Sequence, residues 1–135
     1  NSSNHDIKLC ETLLQAVGDT VVLESESQMD AVTAVSGSGP AYVFHLIEAL
    51  AAAGVNQGLS AQLAMKLAKK TVAGAGALAF HSEESPEQLR VNVTSPGGTT
   101  QAALEILMDV ETGFPKVLLE GVKAAANRSK ELGKA

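Results

Sequence analysis

A chain of 135 residues fits a single domain. Hydrophobic residues make up 45 % and aromatics only 3 %, with no Trp, so a core can be buried but has to be built from Ala, Val, Leu and Gly. The formal net charge of −5 argues against a nucleic-acid backbone as the main partner, and the basic residues from Lys66 onward are mixed with acids, as on solvated helix faces.

The opening "NSSNHDIKL" reads as a polar lead-in. Ile7, Leu9, Leu13, Leu14 and Val17 have helical spacing, with Gly18 placed as the stop. Cys10 is the single cysteine, so it rules out an internal disulfide and reads as an inert thiol, buried or half-buried. Thr20 to Leu23 is a β-like run with no partner strand, hence an extended connector. A helix is expected from about Gln28 to Ser36. Ser38 is then placed to cap the next helix, with Pro40 in its first turn. That helix, "PAYVFHLIEALAAAG", is apolar almost all round and should end at Gly54.

Ser60 opens a further helix, with a stripe through Ala64, Ala68, Val72, Ala75 and Ala79. Gly74 and Gly76 sit in its interior, which predicts either close helix–helix approach or a kink. Ser85, Pro86 and Gln88 form a capping-box pattern before a short helix from about Pro86 to Val91. Two more helices are expected, from about Thr100 to Asp109 and from Pro115 to about Glu131. The sum is an all-α bundle of six or seven helices over residues 1–135. Several helices are too apolar for a small monomer, which predicts an intimate homodimer with interleaved helices. No signal peptide and no uninterrupted membrane-length apolar run is present, so the cytoplasm is expected and a membrane is not. The chain opens on Asn1 and reads as a piece of a longer protein.

Two stretches can carry chemistry. In "TSPGGTT", a Pro-Gly-Gly turn leads into a helix whose first N–H groups have no internal partners. The glycines leave room for approach, and the helix dipole favours an anion such as carboxylate or phosphate. Thr94, Ser95, Thr99 and Thr100 add hydroxyls. The same residues also suit a tight turn and a Thr cap with no ligand, and the pattern alone leaves both readings open. "SGSGP", residues 36–40, repeats the logic, and two helix starts aimed into one cleft would bind a polar ligand. Neither stretch carries a Walker-type Lys. His5, His45 and His81 lack metal-ligand spacing, so no metal is expected. Glu83 and Glu84 read as loop acids able to hold a ligand amine.

Taken together, "DAVTAVSGSGPAYVFHLIEAL", "GVNQGLSAQLAMKLAKKTVAGAGAL", "LRVNVTSPGGTTQAALEIL" and "GVKAAANRSKEL" resemble the C-terminal half of pyrroline-5-carboxylate reductase. The resemblance runs from about Ile7 onward. It implies a helical dimerisation and substrate-binding domain of the 6-phosphogluconate dehydrogenase C-terminal-like kind, in an interlocked homodimer that can assemble further. It also implies reduction of L-Δ1-pyrroline-5-carboxylate to L-proline with NADPH or NADH, the last step of proline synthesis. The family's N-terminal Rossmann domain, which binds most of the cofactor, has no counterpart in this chain, since no G-x-G-x-x-G follows a strand. On this resemblance Ser95 and the backbone of Gly97, Gly98 and Thr99 hold the substrate carboxylate, and Thr100 reaches the ring nitrogen as the catalytic residue. Glu83 lies near the substrate loop. Ser36, Gly37, Ser38, Gly39 and Pro40 lie beside the nicotinamide. A helical oligomerisation module without chemistry, or the substrate domain of another NAD(P)-dependent oxidoreductase, are the alternatives. The fragment alone is expected to be inactive.

Overall fold

The computed structural model describes residues 3–133, which contain helices and no strand. Helix α1 spans Asn4–Leu14. It begins inside the expected lead-in because Ser3 and Asp6 cap it reciprocally. The Ser3 hydroxyl oxygen accepts the Asp6 N–H at 3.2 Å, and the Asp6 carboxylate accepts the Ser3 N–H at 2.9 Å. The helix closes at Gln15, so Gly18 is not its stop. No residue of α1 is buried, and Cys10 is exposed rather than half-buried: Thr20, Val21 and Val22 line only an open groove with Ile7, Cys10 and Leu14. Thr20 to Leu23 forms no strand and connects as expected.

The next helical stretch changes pitch three times. A 3-10 turn at Glu26–Gln28 leads into α2, Met29–Val32, then a π turn at Thr33–Gly37, then α3, Gly39–Asn56. Ser38 therefore does not cap α3 through its side chain; it sits in helical conformation between the π turn and α3. Pro40 explains the change of pitch. It has no N–H to donate to the Ser36 carbonyl, and its ring crowds that carbonyl in a regular α-helix. The π turn relieves this by moving the Ser38 N–H onto the Thr33 carbonyl at 2.8 Å. The Ala34 carbonyl, which an unbroken α-helix would pair with Ser38, instead accepts the Tyr42 hydroxyl at 3.0 Å.

Helix α4, Ala61–His81, returns along α3. Ser60 caps it as expected, accepting the Leu63 N–H at 3.3 Å. Gly58, with φ of 95°, makes the turn, while Gly54 lies within α3 and does not end it. Gly54 instead permits the crossing: a Cβ there would stand 3.2 Å from the Cβ of Ala64. Ala51, Ala64 and Ala68 form the buried seam, with Ile47 and Met65 against it. Ala34 is buried too, but the larger Val and Leu side chains expected in a core remain at least partly exposed. Small residues let the helices approach, and the larger ones point away from the seam. The helix stays unbroken through Gly74 and Gly76, and neither is closely approached from within the chain.

Helix α5, Pro86–Asn92, starts at Ser85, which accepts the Gln88 N–H at 3.2 Å. Only this half of the expected capping box forms. The Gln88 amide turns to Asn92 at 2.8 Å, and Asn92 donates to Glu84 at 2.9 Å. Helix α6, Thr99–Leu107, follows, and α7, Phe114–Leu132, comes back onto the π turn and α2. There the Ser129 hydroxyl donates to Asp30 at 2.6 Å. The principal packing joins α3 to α4 and α7 to the π turn and α2, and leaves α5 and α6 aside. The result is an open molecule: it exposes 10,753 Å². A compact monomer of the same mass exposes about 6,700 Å².

Candidate functional site

Residues 95–98 close a turn in which the Gly98 N–H donates to the Ser95 carbonyl at 3.0 Å. Pro96 occupies its second position and Gly97 its third, with φ of 69°, the pattern of a type II turn. Gly98 then serves as the N-cap residue of α6 in extended conformation, with no side-chain cap. A Cβ on Gly98 would stand 3.0 Å from the Ser95 carbonyl oxygen, so a small residue is needed for the turn to close. Neither Thr99 nor Thr100 caps the helix.

The consequence is a bare helix start. The N–H groups of Thr99, Thr100 and Gln101 have no hydrogen-bond partner among the described residues. The hydroxyls of Ser95, Thr99 and Thr100 are likewise uncommitted there, with Ser95 and Thr99 exposed and Thr100 half-buried. Three N–H donors converge at the positive end of a nine-residue helix beside three hydroxyls, which suits a carboxylate in size and charge.

The glycine N–H groups expected to join this set are engaged. Gly97 donates to the Gln101 side-chain oxygen at 2.8 Å, and Gly98 to Ser95. Gln101 thus belongs to the site and was not singled out from sequence; a Gln four residues after a glycine in a turn is the signal that could have found it. Its amide also donates to Glu105 at 3.3 Å. Behind the turn, the Thr94 hydroxyl donates to the Arg90 carbonyl at 2.6 Å, which fixes Thr94 as a strut at the end of α5. Arg90 reaches the Met108 sulfur at 3.3 Å, tying α5 to α6. An open groove of about 360 Å³ lies on that flank of α6.

Glu83 is exposed in the loop before α5, and it is its neighbour Glu84 that is tied to α5 through Asn92. Residues Ser36 to Pro40 lie in the π turn and the first turn of α3, packed beside α7 rather than α6. No hydrogen bond among the described residues joins them to Ser95–Thr100, so within one chain the two stretches do not share a packed cleft.

Residues 26–132 match the family model for pyrroline-5-carboxylate reductase dimerisation. The chain belongs to this family. Pyrroline-5-carboxylate reductase from Synechocystis is 50 % identical over 124 residues, covering 92 % of this chain and 45 % of the relative. The Pseudomonas aeruginosa enzyme of the same name is 48 % identical, over 89 % of this chain and 43 % of its own length. Among solved structures, a pyrroline-5-carboxylate reductase from Coxiella burnetii superposes with a TM-score of 0.88 at 40 % identity, over 97 % of this chain and 48 % of that one. Pyrroline carboxylate reductase from Plasmodium falciparum with NADP bound gives 0.82 at 35 % identity, over 98 % and 50 %. The chain spans about half the length of the relatives it matches. α1 and the connector after it lie outside the residues matched by the reductase dimerisation model.

Proposed function

We propose that this chain is the substrate-binding and dimerisation part of a pyrroline-5-carboxylate reductase, which reduces L-Δ1-pyrroline-5-carboxylate to L-proline with NADPH or NADH. The bare start of α6 carries the reading. Its three free N–H groups and the Ser95 hydroxyl hold the substrate carboxylate, while Gly97 and Gly98 keep side chains out of its way. Holding the carboxylate fixes the ring, so that the imine is presented in one orientation.

Bound nicotinamide supplies a hydride to the imine carbon. The Thr100 hydroxyl stands one residue inside the helix start and donates to the ring nitrogen as negative charge builds there. A threonine hydroxyl is a poor acid at neutral pH, so Thr100 relays or orients the proton rather than giving it up. The exposed small surface of Ser36, Gly37 and Pro40 with half-buried Ser38 and Gly39 leaves room for a flat ring. A Cβ on Gly39 would meet no atom within 4 Å, which supports that approach. With no strand among the described residues, the larger share of cofactor binding falls to a Rossmann domain outside this chain.

The chain works as a homodimer in this reading. It exposes about 4,000 Å² more than a compact monomer of its mass, several times what each partner of an ordinary interface buries. Thr100→Ala in the full-length reductase should cut kcat by about 100-fold or more with a much smaller change in KM, in the range of a lost transition-state donor. Unchanged kinetics would remove Thr100 from the mechanism.

A further inference from the structure

Gln101, the third residue of α6, meets the site twice. Its backbone N–H is one of the three free donors at the helix start. Its side chain turns back, and the amide oxygen accepts the Gly97 N–H at 2.8 Å. In a capping box the side chain at this position returns to the N-cap residue. Here it goes one residue further, past Gly98 to the left-handed residue of the turn. That turn has few other ties. The Gly98 N–H closes it upon itself through the Ser95 carbonyl, and the Ala102 N–H only continues the helical ladder onto the Gly98 carbonyl at 3.2 Å. Among the described residues, no hydrogen bond other than the one from Gly97 to Gln101 joins residues 95–97 to α6. Where the Ser95 hydroxyl stands relative to the three N–H donors therefore depends on this contact.

The amide is itself held. Its two ends have nearly the same shape, but only the oxygen can accept an N–H. Glu105, one helical turn further on, selects the orientation: its carboxylate accepts the Gln101 NH2 at 3.3 Å, which leaves the oxygen facing Gly97. The chain of contacts runs from Glu105 through Gln101 to Gly97, along one flank of α6 and into the turn.

We propose that Gln101, oriented by Glu105, is a positioning residue for the substrate carboxylate: its side-chain oxygen braces the left-handed turn and so keeps the Ser95 hydroxyl in register with the N–H groups of α6. This rests on the substrate reading above and deepens it. The brace touches neither the ring nor the hydride donor, so it acts on how well the carboxylate is held and hardly on the chemical step.

The test uses Gln101→Ala and Gln101→Met in the full-length reductase. Both keep the backbone donor of residue 101, and both introduce good helix formers, so only the side-chain acceptor is lost. Steady-state kinetics should show KM for the pyrroline carboxylate raised about three- to tenfold in each, the range of one lost neutral hydrogen bond. The kcat should stay within about twofold, and KM for the nicotinamide cofactor should not move. Glu105→Ala should raise the same KM by a smaller factor, and by none when added to Gln101→Ala, because it acts through Gln101. A Met variant with the parent KM would show that bulk rather than the acceptor matters, and would overturn the brace. A lowered KM in the Ala variant would overturn it too, since Gln101 would then be withholding the Gly97 N–H from the substrate. A Glu105→Ala effect that persists in the Gln101→Ala background would overturn the orienting role of Glu105. A parent that does not reduce the pyrroline carboxylate overturns the substrate reading itself, which separates the two failures.

Discussion

Gly97→Ala isolates the backbone contribution in the Ser95–Gly98 turn. Gly97 has φ of 69°, and a Cβ there would meet no atom within 4 Å. Its substitution creates no clash, so the whole effect comes from conformation. Holding an L-residue left-handed costs roughly 1–2 kcal/mol. The smaller freedom of Ala in the unfolded chain offsets part of this, leaving a net loss of about 1 kcal/mol. The unfolding entropy of a 135-residue chain is roughly 0.28 kcal/mol/K near 60 °C, so Tm should fall by about 3–4 °C. The substitution occurs in every copy, so the arithmetic is the same per chain in a dimer. Gly97→Asn should recover much of the loss, because Asn tolerates the left-handed region. In the full-length reductase, Gly97→Ala should raise KM for the pyrroline carboxylate as the turn loosens. Differential scanning calorimetry of the parent and both variants decides the matter. A Gly97→Ala chain within 1 °C of the parent, or an Asn variant no better than the Ala one, would refute the assignment of the turn.

Gly113→Ala places a Cβ 2.5 Å from the Leu107 carbonyl oxygen and 2.6 Å from that of Asp109, both backbone atoms that cannot swing aside. We expect a loss of about 1–3 kcal/mol in urea unfolding, and a change below 0.5 kcal/mol for Gly18→Ala, where a Cβ meets nothing within 4 Å. Asp109 is held below the usual carboxylate range, first by the Thr112 hydroxyl and then by the N–H groups of Thr112 and Glu111. A depressed folded-state value contributes stability above the unfolded value of about 3.9 and loses it as pH falls through the lowered one, so the Tm gap between parent and Asp109→Asn should be constant at neutral pH and shrink below about pH 4. A gap that is flat down to pH 2 would show that the carboxylate charge does not brace this loop.

At Ser60 and Ser85 the sequence was a sound guide to a helix start, whereas the Ser3 cap lay inside what read as a lead-in. Ser60 and Ser85 cap α4 and α5 because Ser followed by a run of helix formers has one favourable use. The turn at Ser95–Gly98 was legible for the same kind of reason: Pro and Gly in that order match the dihedrals of one turn type. Ser38 misled because its neighbour Pro40 could be absorbed in two ways, by a cap and a break or by a change of pitch, and the choice depends on Tyr42 bonding back to Ala34. Gly54 and Gly18 misled because glycine stops helices and also permits close approach, and only the position of Ala64 shows which applies at Gly54. The engagement of Gly97 by Gln101 needs both the four-residue spacing, which the sequence shows, and one side-chain rotamer, which it does not. The alanine seam could not be separated from the exposed leucines by composition, since both are apolar and the distinction lies in which face meets α3.

The π turn at Thr33–Gly37 holds one residue more than an α-helix would use over the same span. Along a helix, residue count is angular phase, about 100° per residue. Removing one residue from this stretch would take away the extra residue that accommodates Pro40 and turn α3, with α4 packed on it, by about 100° relative to α2 and α7. Replacing a residue leaves the phase untouched. The stretch is thus tolerant of spelling and intolerant of length, and a single-codon deletion there would be read by the fold as a rotation of the α3–α4 pair.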